Sequence, residues 1–490
     1  MSTNQGLNVP ELYAIANSKA TPNISNGRSD QASNSVFGFG DLEYRKFASL
    51  TWAVRNDWFS TLPAGNNSLL SPSVGGSVVF TEFTQKALPW LNFGKVFGSW
   101  GKKPKALGPY ALNLNYSVNP LLWGSNFLMS TPDGTPDANL RGALVSTFEA
   151  GIDLRMFRNR LNLSVTYYHE DNKNEPLSVA VSGVSGFTSQ LINAAWVQRK
   201  GLEFEFGVSA VKSKNFNWNI NGTFSYLLDN PVKGLAPGLN SYTLAGSAFG
   251  TRFARTFHFV GKQWGMLVGG GYARNDAGLP LITTNGFSGG QGWFVADANK
   301  EWGSVVPKIT GGMQHFLTYK NFSLAVSADY QVGGRFFSLF EQWGQFSGLM
   351  EETAGLNDKG KPVRDPVSAG GGVRVQGVSA VDKTTPVDVY VDAYDYFHQF
   401  YYQRLSEPFI HSLTFAKVRE MALGYQLPLS KLGGFGKSIQ AVNISVVARN
   451  PFILYRETKN FDPSEISGVN GEDGQLPGSR SLGVNLKFTF

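Results

Sequence analysis

The strongest constraint on the fold is a pattern of alternation, seen most clearly at the end of the chain. Ser481 to Phe490 reads Ser-Leu-Gly-Val-Asn-Leu-Lys-Phe-Thr-Phe. Leu482, Val484, Leu486, Phe488 and Phe490 fall on one side, and Gly483, Asn485, Lys487 and Thr489 on the other. Period two specifies a β-strand with one apolar and one polar face. In a water-soluble sandwich the apolar face turns inward to a core. In a membrane barrel it turns outward to lipid and the polar face lines a wet interior. One strand is compatible with both, so the choice falls to the rest of the chain.

Strand-like segments occur about thirteen times: Val36–Asp41, Lys46–Asp57, Ser73–Phe83, Leu91–Gly101, Phe148–Met156, Leu161–Tyr167, Leu202–Val208, Phe216–Tyr226, Lys308–Thr318, Phe322–Tyr330, Ser412–Leu427, Ser438–Asn450 and the terminal strand. Most are near the length a tilted strand needs to cross a bilayer. The links between them alternate in length. Short ones are Asp41–Arg45, Thr84–Trp90, Phe157–Arg160, Lys212–Asn215, Tyr319–Asn321 and Pro428–Lys437; long ones span 58–72, 102–141, 171–199, 229–307, 333–411 and 451–480. Outer-membrane barrels are built this way, with tight periplasmic turns and long extracellular loops. The long links also have the Gly, Asn, Asp and Ser content of exposed loops. The expected fold class is therefore all-β, a transmembrane antiparallel β-barrel in the bacterial outer membrane.

Strand parity adds a second expectation. The first and last strands both run inward, which gives an odd number, whereas bacterial single-chain barrels have an even one. At least one strand is expected before Val36. Residues 1–35 are then the remnant of an extracellular loop, and 36–490 the C-terminal part of a larger barrel. Met1–Ser35 carries no apolar leader, which agrees. A strand concealed at Arg255–Gly269 would change the count and make a self-contained diffusion channel of fourteen strands.

Composition narrows the function classes. Aromatics make up 13% of the chain and charged residues 16%, high and low respectively for a soluble domain. No run of apolar residues is long enough for a spanning helix. Cysteine is absent, which excludes disulfides, Cys-ligated zinc and thiol nucleophiles. The net charge of +7 is scattered rather than clustered, which argues against nucleic acid as a partner. Trp52, Trp58, Trp90, Trp100, Tyr167, Tyr168, Tyr319 and Tyr425 fall near strand ends, where lipid–water girdles place aromatics.

Several segments resemble a known family. Lys417-Val418-Arg419-Glu420-Met421-Ala422-Leu423-Gly424-Tyr425-Gln426-Leu427-Pro428, Ala448-Arg449-Asn450-Pro451-Phe452 and Phe461-Asp462-Pro463-Ser464-Glu465 are similar to the late barrel strands and the "D-P-E" loop of SusC/RagA-type TonB-dependent outer-membrane transporters. Val54–Pro63 and Arg199–Glu205 resemble earlier segments of the same family, so the resemblance covers roughly Gly40 to Phe490. It implies a barrel of twenty-two strands in the full protein, of which this chain supplies about thirteen, with signal peptide, TonB box and plug domain absent. It further implies import of nutrients, either oligosaccharide or peptide. The implied partners are a SusD-like surface lipoprotein and TonB–ExbB–ExbD acting through the missing plug.

No catalytic constellation is found, and an enzyme is not expected. His169, His258, His315, His398 and His411 lack zinc-site spacing. No Gly-x-Ser-x-Gly elbow is present. Gly269–Gly271 and Gly370–Gly372 lack the context of phosphate loops and read as flexible loop glycines. Asp462, Glu465, Glu472 and Asp473 have the oxygen chemistry for Ca²⁺ without EF-hand spacing, and read as a solvated loop. The ligand-binding candidates are Asp392, Tyr394, Asp395 and Tyr396, in an acidic–aromatic loop with Phe397 and Tyr401. Rings and carboxylates together can stack on, and hydrogen-bond to, a sugar or peptide.

Overall fold

In the computed structural model, which describes residues 2–489 apart from 24–27, 85, 125, 248–249, 284–291, 429–438, 467–468 and 470, the thirteen strand-like segments all lie in one antiparallel sheet. They are β1 (Ser33–Tyr44), β2 (Ala48–Phe59), β3 (Ser68–Val79), β4 (Leu91–Lys105), β5 (Ala143–Met156), β6 (Leu161–Ala180), β7 (Ser189–Lys212), β8 (Phe216–Asp229), β9 (Pro307–Tyr319), β10 (Phe322–Gly333), β11 (Phe415–Gln426), β12 (Ala441–Arg456) and β13 (Ser481–Thr489). Each pairs with its neighbours in sequence, so spatial order follows chain order from β1 to β13. Two short strands join at β7: Val232–Gly234, and Gly134–Pro136, which runs parallel to it. Among the described residues β1 and β13 are the two edges of the sheet.

The register keeps the two faces apart. Val78, Val96, Ile152, Val165, Phe204 and Phe224 stand directly opposite one another from β3 to β8. One residue over, Lys95, Asp153, Ser164, Glu205, Thr223, Gly312, Asp329 and Lys417 form a polar row from β4 to β11. Because side chains alternate across a strand, these rows point to opposite sides of the sheet. On the apolar side Trp52, Val74, Val96, Phe148, Leu423 and Val446 are exposed. An apolar face of that extent needs a cover.

Strands are joined at one end by tight turns. Arg45 and Lys46 (φ 47° and 62°), Phe157, Arg158 and Asn159, and Lys320 (φ 51°) adopt left-handed backbone there, which matches the twist of paired strands. A four-residue helix α1 (Thr81–Thr84) fills the link between β3 and β4. The expected link Pro428–Lys437 lies outside the described residues except for Pro428. The turn end carries aromatic pairs: Trp90 on Phe157, centroids 5.9 Å apart, and Phe322 on Tyr425, 4.7 Å. Tyr168 does not belong with them, because it stands in register with Glu149 and Gly201 on the polar face.

At the other end two expected links shorten the most. The link read over 171–199 narrows to 181–188, because β6 and β7 stay paired past an irregularity at Asn172–Pro176. Leu177, Val179, Ile192 and Ala194 then pack with Ala236. The link read over 58–72 narrows to 60–67. The suspected strand at Arg255–Gly269 is not a fourteenth wall strand. It falls within Gly250–Phe259 and Met266–Tyr272, which form a separate four-stranded sheet with Ser241–Ser247 and Ala296–Ser304.

The main buried core lies in these long connections rather than under the sheet. Phe253, Leu267, Phe337, Phe397, Phe400 and Phe409 are among its members. They come from the segments 230–306 and 334–414, which pack together at the long-link end.

Candidate ligand-binding site

Two helices in the 334–414 connection frame the candidate residues. α2 (Leu339–Phe346) starts at Ser338, whose hydroxyl accepts the Glu341 N–H at 3.1 Å, as a helix-capping serine does. α3 (Ala393–Tyr402) starts at Asp392. The stretch read from sequence as a loop is thus helical from Ala393 onward. Phe397 and Phe400 turn into the core while Tyr394, one turn back, is 66% exposed.

Three of the four predicted residues come together. Asp392, Tyr394 and Asp395 line one hollow of about 580 Å³, closed on its far side by the end of α2. Tyr394 stacks on His398, centroids 3.9 Å apart, and His398 in turn lies 4.2 Å from Phe346. The floor is therefore a run of rings with two carboxylates at its rim. Arg364 braces it, donating from Nε to the Thr353 carbonyl at 2.7 Å and from Nη2 to Thr353 Oγ1 at 2.9 Å. Tyr396 does not join them. It packs edge-on against Phe397 and Phe400, at 5.0 and 5.4 Å, and burial pushes its phenol pKa up. It faces a neighbouring hollow of about 550 Å³ with Tyr272, Asp358 and Arg374. There a hydrogen bond from the Tyr390 hydroxyl holds the Asp358 carboxyl below the usual range. The Arg374 guanidinium holds Asp388 down to about 2.

Phe346, His398 and Arg364 were missed in the sequence. His398 follows Tyr394 by one helical turn, a spacing that signals contact once the helix is recognised. Phe346 and Arg364 lie far off in the chain and carry no local signal.

Asp462, Glu465 and Glu472, weighed for Ca²⁺, are engaged with other groups. Asp462 pairs with Lys417 and accepts from Ser464, and Glu465 reaches Lys417 and Arg419, each at 3.5 Å. Glu472 accepts the Ser338 hydroxyl at 2.7 Å and the Phe340 N–H at 2.9 Å.

On the polar face of the sheet a third hollow, of about 630 Å³, lies over β4 to β11. Lys95 pairs with Asp153 at 2.8 Å and Arg419 with Asp329 at 2.8 Å, with Asn162, Asn221 and Gln314 between them.

These features match one group of proteins. The family model for TonB dependent receptor-like β-barrels matches residues 4–338. The chain belongs to that family. TonB-dependent receptor P26 of Formosa agariphila is 24% identical over 97% of this chain and 48% of its own length. TonB-dependent receptor P3 of the same organism is 24% identical over 93% and 45%. The chain thus spans about half the length of these receptors. Among solved structures, the RagAB peptide transporter superposes with a TM-score of 0.73 at 20% identity, over 98% of this chain and 50% of that one. The RagAB peptide importer in its open-open state gives 0.71 over 98% and 49%. At this identity the likeness is one of fold.

Proposed function

We propose that this chain forms part of the barrel wall, and the outer loop cluster, of an outer-membrane importer energised by TonB–ExbB–ExbD. The carrying observation is the separation of faces across thirteen strands in register, apolar and exposed on one side, polar and hollowed on the other. That arrangement suits lipid outside and a wet passage inside. The long connections stand on the extracellular side and the tight turns on the periplasmic side. The hollow of Asp392, Tyr394 and Asp395 takes part in ligand capture, together with a SusD-like lipoprotein. An oligomer of sugars or amino acids suits its ring floor and carboxylate rim. RagAB, whose fold the chain shares, is a peptide transporter, which favours peptide.

The experiment is uptake of fluorescent oligopeptides and oligosaccharides by cells with and without the gene, each with and without a working TonB. Uptake that needs both supports the proposal. Uptake that needs the gene but not TonB overturns it in favour of a passive channel.

A further inference from the structure

Two stretches that carried the family resemblance touch each other. Lys417 and Arg419 lie on β11, and Asp462 and Glu465 lie in the last long connection. Lys417 is only 2% exposed, yet its ammonium meets Asp462, Glu465 at 3.5 Å and Ser464 Oγ at 3.2 Å. Arg419 is shared: it pairs with Asp329 on the polar face of the sheet at 2.8 Å and with Glu465 at 3.5 Å. A polar group buried this deeply costs stability unless partners meet it, so this clasp fixes the connection to the wall.

The same connection grips the loop cluster at its other end. Glu472 is 3% exposed and holds the start of α2 through the Ser338 hydroxyl and the Phe340 N–H. Its backbone adds two more bonds, from Leu339 N at 2.8 Å and to Phe337 O at 3.0 Å. Just before the clasp, Asn460 donates to Glu341 of α2 at 2.6 Å. The far end of α2, about 12 Å along, is the wall of the hollow beside Tyr394.

We propose that the last long connection, through its described stretches 457–466 and 471–480, acts as a tether, with Lys417 and Arg419 as its positioning residues, which sets where α2 and the candidate hollow stand over the polar face of the sheet. The tether links charged groups on the polar face of the sheet to a hollow in the loop cluster. This holds independently of the transport proposal, because the tether is tested without ligand or energy source.

The chain has no cysteine, so it adds no thiol of its own to a pair of introduced labelling sites. Leu349 lies just past α2 and Val332 near the end of β10, both exposed. The full-length protein, extracted from membranes, is labelled at Leu349→Cys and Val332→Cys, and its cleavage by trypsin at the exposed Lys459 is timed. In Lys417→Met and in Glu465→Gln the label distance is expected to broaden and shift. Cleavage is expected to quicken by about tenfold, since proteolysis tracks the opened population. Adding Asp462→Asn to Lys417→Met is expected to quicken it no further, because paired groups are not additive. Should Lys417→Met fail to fold, Glu465→Gln decides, since that side chain is 37% exposed. Wild-type cleavage in folded variants overturns the clasp. Faster cleavage with an unchanged label distance overturns the positioning of the hollow.

Discussion

Gly270 leaves no space for a side chain. A Cβ there would sit 2.0 Å from the Arg404 carbonyl oxygen, because the backbone of Gly270 bonds directly to the chain at Leu405 and Ser406. Gly270→Ala is expected to destabilise the loop cluster by about 1–3 kcal/mol, read as a lower melting temperature in the near-ultraviolet dichroism of its aromatic residues. The sequence suggested a flexible loop here. A glycine run shows no alternation, so nothing local revealed that Met266–Tyr272 is a strand pressed against another backbone. His258 makes a second residue-level case. It is 2% exposed, its ring meets Trp264 edge-on at 5.4 Å, and burial holds its pKa down to about 4. The unfolded chain takes up a proton on this histidine below about 6.5 while the folded one stays neutral until near 4. Stability is therefore intact above about 6.5 and falls as the pH drops toward 4, by on the order of 3 kcal/mol for this group. Urea titrations of the loop cluster at pH 7 and pH 4.5 check the slope, and His258→Gln is expected to flatten it.

At the scale of elements, the strands were legible and the helices were not. Alternation exposed all thirteen wall strands, since a strand facing two different media must alternate. It also sets a test on neighbouring residues of β6. Val165 stands on the apolar row and Thr166, beside Glu203 and Gly151, on the polar one. Val165→Arg is expected to cost about 2–4 kcal/mol in a bilayer and Thr166→Arg under about 1, measured by urea titration of folded fractions in lipid vesicles. The ends of β6 and β7 were misjudged because their outer pairing depends on packing with Ala236, which is distant in sequence. α3 was missed for another reason. Tyr394, Phe397, His398 and Tyr401 have helical spacing, but Tyr396, Phe400 and Tyr402 fill the intervening positions and blur the period. The capping Ser338 of α2 serves two partners, Glu341 N and the Glu472 carboxylate. Ser338→Ala removes a cap and leaves a buried carboxylate short of a donor, an expected loss of about 1–3 kcal/mol, read as faster hydrogen exchange through α2.

At the scale of the whole molecule, the residues fall under two solvents. The sheet has little core of its own and presents its apolar side outward, while the connections enclose the cluster around Phe253, Phe337 and Phe409. What was legible in the sequence follows this division. The wall obeys one local rule repeated along the chain, and it could be read segment by segment. The loop cluster brings together residues over two hundred positions apart, such as Thr256 and Val469, and no local rule foretells that. The division has a calorimetric consequence. Water that newly meets apolar groups raises the heat capacity, and among the described residues the loop cluster has the largest sheltered apolar interior to yield to water. In detergent solution its melting is expected to lift the baseline, whereas the later loss of the sheet, whose outward side chains exchange one apolar surrounding for another, leaves the baseline nearly level. A scan whose baseline rises mainly at the second transition would place the hydrophobic store in the wall instead.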